Sequence, residues 1–210
     1  ALHDLIQSTI KAHRRILFNG NGYDDAWIAE AERRGLMNLR TTPDALPHML
    51  DTKNVEMLTR HKVFSEAEIR SRCEINLDNY RKTVHIEART MVDMARRQIL
   101  PAVESYAAKL AETLATKKAL SPLLGGKYET SLLTKLSGLT DDIAAAADAL
   151  EASLDTYHKI DDVTEAACFI RDEVLPKMDA LRAPADEAER FTAAEYWPFP
   201  TYGDLLFGVK

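Results

Sequence analysis

The sequence predicts an all-α fold, and three features carry that expectation. One apolar seam runs in helical steps from Ser65 to Leu120, and a second, heptad-like seam follows from Tyr128. No segment shows the strict alternation of a half-buried strand. The expected architecture is a long kinked central helix with short N-terminal helices, an antiparallel helical bundle in the second half, and an extended aromatic C-terminal tail. The corresponding boundaries are 1–64, 65–190 and 191–210.

The central helix places Ile69, Cys73, Leu77, Tyr80, Val84, Ala88, Met91, Ala95, Ile99, Ala102, Tyr106 and Leu110 on one stripe. Their spacing of 4, 4 and 3 keeps the stripe nearly straight along the helix. Ser65 and Glu68 form a capping-box pair at its start. About 55 residues rising about 1.5 Å each span roughly 80 Å, so the rest of the chain must cover the rod in several places. Pro101 lacks the amide that would bond to the Arg97 carbonyl, which predicts a kink.

Before the rod, Leu2, Leu5, Ile6, Ile10, His13 and Leu17 share a face and predict a helix up to about Phe18. Asn19-Gly20-Asn21-Gly22 breaks it, since Asn and Gly tolerate positive φ. This loop lacks the Lys-Ser/Thr of a phosphate-binding loop and reads as a turn. Asp24–Arg34 is expected to be helical, with Gly35 as its stop. Thr42 and Thr52 are expected caps of two further short helices, the first with Pro43 at its opening position.

Beyond the rod, Leu120-Ser121-Pro122 and Gly125-Gly126 turn the chain. Leu132, Leu136, Leu139, Ile143, Ala147, Leu150, Leu154 and Tyr157 then continue the second seam from Tyr128. Asp161 and Asp162 open a third helix, with Val163, Ala167, Ile170, Val174, Met178 and Leu181 inward. Its Val174-Leu175-Pro176 echoes Ile99-Leu100-Pro101. The tail from Phe191 to Lys210 holds six aromatic residues, Phe191, Tyr196, Trp197, Phe199, Tyr202 and Phe207, with the helix-breaking Pro198 and Pro200 among them. It is expected to run extended and to dock its rings.

Composition narrows the function. The net charge of −6 is divided into +3 for residues 1–120 and −9 for 121–210, which argues against a nucleic-acid partner. Two cysteines, Cys73 and Cys168, both within helical patterns, fit buried thiols in a reducing compartment. No run is long enough to span a membrane, no charged-then-apolar leader opens the chain, and a cytoplasmic protein is expected. The absence of a cap before Leu2 reads as a cut from something longer.

The search for chemistry yields no catalytic, cofactor-binding or metal residue. Asp155-x-x-His158 is the nearest approach to a di-metal motif and occurs once, and no zinc spacing is present. His85 and Glu87 face different sides of a helix. Lys11, His13, Arg14 and Arg15 form the dense basic cluster, followed by Arg96-Arg97. These read first as solvated or inter-domain surface and second as an anion contact.

Several strings resemble the type III glutamine synthetases, the large bacterial form of that enzyme. They are Lys11-Ala12-His13-Arg14-Arg15-Ile16-Leu17-Phe18-Asn19-Gly20-Asn21-Gly22-Tyr23, Asn38-Leu39-Arg40-Thr41-Thr42-Pro43-Asp44-Ala45-Leu46-Pro47, and Val63-Phe64-Ser65-Glu66-Ala67-Glu68-Ile69-Arg70-Ser71-Arg72. Met94-Ala95-Arg96-Arg97-Gln98-Ile99-Leu100-Pro101-Ala102-Val103 and Leu181-Arg182-Ala183-Pro184-Ala185-Asp186-Glu187 continue the likeness. It closes with Tyr196-Trp197-Pro198-Phe199-Pro200-Thr201-Tyr202-Gly203-Asp204-Leu205-Leu206-Phe207, and is weakest around 120–165. The resemblance implies the helical C-terminal region of an ATP-dependent glutamate–ammonia ligase, working in packing and oligomer assembly. It also implies ATP and Mg²⁺ or Mn²⁺ on an upstream catalytic domain, and a ring-built homo-oligomer. Matching positions for the family's metal glutamates and nucleotide motifs are absent from this stretch, so no cofactor is expected in it and the segment alone is expected to be inactive. The alternative is a stand-alone helical adaptor that binds a partner helix; a third reading is a helical bundle binding a small anion near Lys11–Arg15.

Overall fold

A computed structural model describes residues 1–200 and 202–208, with Tyr202 described through its backbone alone. The chain divides into two compact units, Ala1–Ala45 and Leu46–Lys210. Among the described residues the regular structure is entirely helical.

The first unit holds α1 (Leu2–Ala12), a 3₁₀ turn (Arg14–Ile16), α2 (Asp25–Arg33) and α3 (Thr42–Ala45). α1 stops short of the predicted Phe18, and its face is bare: Leu2, Leu5, Ile6 and Ile10 are all about half exposed or more. Asp24 caps α2 by accepting from the Ala26 amide at 3.2 Å. Gly35, at φ 77°, ends the helix as expected. There the Leu36 amide reaches the Ala31 carbonyl and the Gly35 amide reaches Glu32, closing a Schellman motif. The cap of α3 is Thr41, not Thr42: its carbonyl accepts from Asp44 and Ala45, and its hydroxyl donates to the Asp44 carboxylate at 2.5 Å.

The second unit begins with a 3₁₀ segment (Leu46–Leu50) and α4 (Thr52–Arg60). Asp51, one residue before the expected Thr52, stands at the N-cap of α4, its carboxylate 3.0 Å from His48 Nδ1. The rod follows as α5 (Glu66–Met94), a π turn (Ala95–Ile99) and α6 (Leu100–Leu120). Its capping box is formed: Ser65 Oγ accepts from the Glu68 amide at 3.3 Å, and Glu68 Oε2 accepts from the Ser65 amide at 2.7 Å.

The π turn is how the rod accommodates Pro101. The Leu100 amide bonds back five residues to the Ala95 carbonyl, which inserts one extra residue into the turn just before the proline. The insertion shifts the buried face just beyond it by about one residue, roughly 100°, and the seam is back in its predicted register by Leu110. Ala88, Ala95 and Leu110 are buried as the seam predicts, but Val103 and Ala107 are buried where Ala102 and Tyr106 were expected. The third helix repeats the device. α8 (Val163–Phe169) passes through a π turn (Ile170–Val174) into α9 (Leu175–Phe191), and the Leu175 amide bonds to Ile170 just before Pro176.

α7 (Lys127–Tyr157) lies antiparallel along the rod, as cross-helix bonds at three levels establish. Arg81 Nη1 donates to the Tyr157 hydroxyl at 3.1 Å, Arg96 pairs with Asp148 and Glu151 at 2.7 Å each, and Lys117 pairs with Glu129. Between them Leu136, Ile143, Ala147 and Leu150 are completely buried, packed with Ile170, Val174 and Leu181 of the third helix. At the start of this seam the prediction fails by one position: Tyr128 is exposed, whereas Glu129 is buried with its carboxylate on Lys117. The early part of the rod is covered from within the chain. Cys73 and Leu77 pack with Leu46, Val163 and Ala167, and the Cys73 thiol donates to the Leu46 carbonyl at 3.4 Å.

Beyond α9 the backbone folds into a turn, with the Tyr196 amide on the Ala193 carbonyl, and Tyr202–Phe207 form α10. Trp197 packs on the main core and the Tyr196 ring lies 5.3 Å from Tyr106. Asp204 lies in the first turn of α10, and Leu205, Leu206 and Phe207 are exposed. Thr201, Val209, Lys210 and the Tyr202 ring lie outside the described residues.

Leu150→Ala is expected to destabilise the chain by about 2–5 kcal/mol through the cavity it leaves. Ile86→Ala, on the exposed side of the rod, should change stability by no more than about 0.5 kcal/mol. Urea denaturation of the two variants checks both values.

Candidate functional site

The basic cluster of the first unit acquires a second half when the chain folds. Asn19–Gly22 reverses the direction, so that Phe18 meets Trp27 with ring centroids 4.2 Å apart. Gly20 lies against the Phe18 ring without a positive φ: a Cβ there would come within 2.3 Å of the ring and displace it. Arg34 locks the reversal. Its guanidinium donates to the Arg15 carbonyl at 2.9 Å and the Leu17 carbonyl at 2.5 Å, pairs with Glu30 at 2.6 Å, and lies near the Phe18 and Trp27 rings.

The result is an open groove of 750 Å³ lined by Ile10, Lys11, Arg14, Arg15, Leu17, Asn19, Arg33 and Arg34. Glu30 is the carboxylate bonded to this cluster, held by Arg33 at 2.5 Å and by Arg34. Hydrogen bonds from Arg33 and then Arg34 pull its carboxyl down to about 2 from the ordinary 4.5. Lys11, Arg14 and Arg15 make no side-chain hydrogen bond or ion pair among the described residues. His13 does not line the groove; it ends α1, its amide on the Thr9 carbonyl.

The other sequence candidates meet in a second groove of 270 Å³ along the rod and α7. Arg96 and Arg97 line it with Arg89, Asp93, Glu151, Asp155 and His158. Most of its charge is internally matched. Arg96 is taken by Asp148 and Glu151, which raise its guanidinium further, and Arg97 is 3.3 Å from Asp93. Asp155 and His158 thus share a groove with these arginines. Next to it, His85 stacks on Tyr157 at 5.1 Å and meets His158 edge-on at 4.8 Å. Burial, then the charges of His158 and Arg89, lower the affinity of His85 for a proton. Glu87 points elsewhere and is exposed.

Among the described residues no group of three or more His, Cys, Asp or Glu side chains is placed to hold a metal ion. Nor is any helix among those residues long and apolar enough to cross a membrane. Sequence reasoning found Lys11, Arg14 and Arg15 but missed Arg33 and Arg34. The signal that was present is the Arg33-Arg34-Gly35 helix end following a Gly-rich reversal.

Comparison with known proteins identifies the class. Residues 1–118 match the family described as glutamine synthetase C-terminal domain. The chain belongs to that family. It is 38% identical over 210 residues to a glutamine synthetase of Butyrivibrio fibrisolvens, covering 99% of this chain and 30% of that protein. It is also 32% identical to a glutamine synthetase of Bacteroides fragilis and 28% identical to a type-3 glutamine synthetase of Dictyostelium discoideum, over 99% of this chain and 29% of each relative. The chain thus spans about 30% of the length of the relatives it matches, and the resemblance read from its sequence strings is borne out.

The Glu30 carboxyl should titrate by NMR at about 2. Because its folded pKa is depressed, the ion pairs contribute fully above the unfolded carboxylate pKa and are lost as pH falls toward about 2. Glu30→Gln should abolish this titration and lower the melting temperature at pH 7 but not at pH 2.

Proposed function

We propose that this chain is the helical C-terminal region of a type III glutamine synthetase and that it serves packing and oligomer assembly, with the ligation of ammonia to glutamate carried out elsewhere in the protein. In this reading ATP and Mg²⁺ or Mn²⁺ bind an upstream catalytic domain, and the whole protein is a cytoplasmic homo-oligomer. Residues 1–64 continue from that domain, 65–190 form the bundle, and 191–210 dock as a tail. The family match supports the assignment, and the bare aliphatic face of α1 supports the packing role. Leu2, Leu5, Ile6 and Ile10 are 71, 62, 50 and 49% exposed on a single helix face, a stripe that needs a covering surface.

Two measurements test this. The 210-residue chain by itself should form no glutamine from glutamate, ammonia and ATP. In the full-length protein, Leu5→Asp with Ile6→Asp should reduce the oligomer mass seen by light scattering while the bundle keeps its helical signal. Glutamine formation by the isolated chain would refute the division of labour, and an unchanged mass would refute the role of α1.

A further inference from the structure

We infer that the groove formed by Lys11, Arg14, Arg15, Arg33 and Arg34 is a binding site for a small, multiply charged phosphate compound. Five cations line it, and the one carboxylate bonded to them, Glu30, is shared between Arg33 and Arg34. With Glu30 counted the cluster keeps a net charge of +4, and Lys11, Arg14 and Arg15 make no ion pair among the described residues, on a chain whose overall charge is −6. A carboxylate ligand or a single ion pair would match only one of them. A di- or triphosphate matches the surplus and suits the guanidinium fork, which binds phosphate oxygens in pairs.

The groove's architecture favours an anion over a neutral or cationic guest. The carbonyls of Arg15 and Leu17, which would otherwise repel phosphate, are already engaged by Arg34 Nη1. Glu30 bonds Arg33 through Nε and Nη2 and Arg34 through Nε, so each guanidinium is fixed in place with N–H groups to spare. Asn19 adds a neutral side chain able to donate, and Ile10 and Leu17 supply an apolar wall for an organic body attached to the phosphates. An acidic protein face is the less fitting occupant. The surface is concave, and of the apolar stripe on α1 only Ile10 borders it. Nor is the groove a phosphate loop of the Gly-rich kind: its donors are side chains carried by the two helical arms of a reversal.

Trp27, stacked on Phe18 beside Arg34, is a built-in reporter. In the full chain carrying Trp197→Phe, Trp27 fluorescence is titrated with inorganic pyrophosphate at fixed ionic strength. A saturable change is expected, weakened at least about tenfold by Arg14→Ser with Arg15→Ser, since each removes charge-assisted hydrogen bonds. Both side chains are exposed and unbonded, so the melting temperature should not move. A control of equal charge change, Lys53→Ser with Lys62→Ser, should leave the affinity as it was. No saturation up to about 10 mM, a range far weaker than specific recognition, would overturn the inference. So would equal weakening by the control pair, which would show diffuse electrostatics only. Saturation by poly-glutamate or by phosphatidylserine vesicles in place of pyrophosphate would equally overturn it, and would assign the groove to a macromolecule.

Discussion

Covering one side of a helix that runs without interruption from residue 66 to residue 120 is the constraint on which the second unit depends. Such a rod has no core of its own, and its stripe becomes stabilising only when other helices exclude water from it. α7 supplies most of that cover by lying back along the rod, and Ile143, Leu136 and Leu150 vanish from solvent in consequence. The ion pairs along the hairpin fix its register more than its stability, being mostly open to water. The remaining gap near Cys73 is closed by Leu46 and by the first turns of α8.

The two π turns follow from a conflict between that packing and the prolines. A proline within a long helix removes a hydrogen bond and crowds the preceding turn, yet breaking the rod would uncover its seam. Widening one turn by a residue ahead of Leu100-Pro101, and again ahead of Leu175-Pro176, keeps both helices continuous. The widened turn also brings Val103 and Ala107 onto the α7 side.

Much of this was legible in the residues themselves. The steps from Ile69 to Leu110 named the rod, Ser65 and Glu68 its beginning, Gly35 the end of α2, and Asp162, which accepts from the Glu165 amide at 2.8 Å, the start of α8. Local chemistry dictates each of these. What escaped depends on partners distant in sequence. The burial of Glu129 needs Lys117 across the hairpin, the one-residue rotation at Val103 needs α7 to select it, and the five-cation groove needs Arg34 to tie α2 to Leu17. Thr41 and Thr42 are equally good caps on paper, and only the bonds to Asp44 and Ala45 separate them.

The π turn at Ala95–Ile99 also divides the rod by time. There the regular four-residue ladder is replaced by a bond spanning five, and Pro101 contributes no amide, so the backbone chain of hydrogen bonds is thinnest at mid-length. A local opening that begins at the exposed Leu120 end is expected to lose hydrogen-bonded continuity at this point, before reaching the buried Ala88. The rod is one helix in shape, and the thin point in its ladder is where its amide exchange with solvent is expected to change.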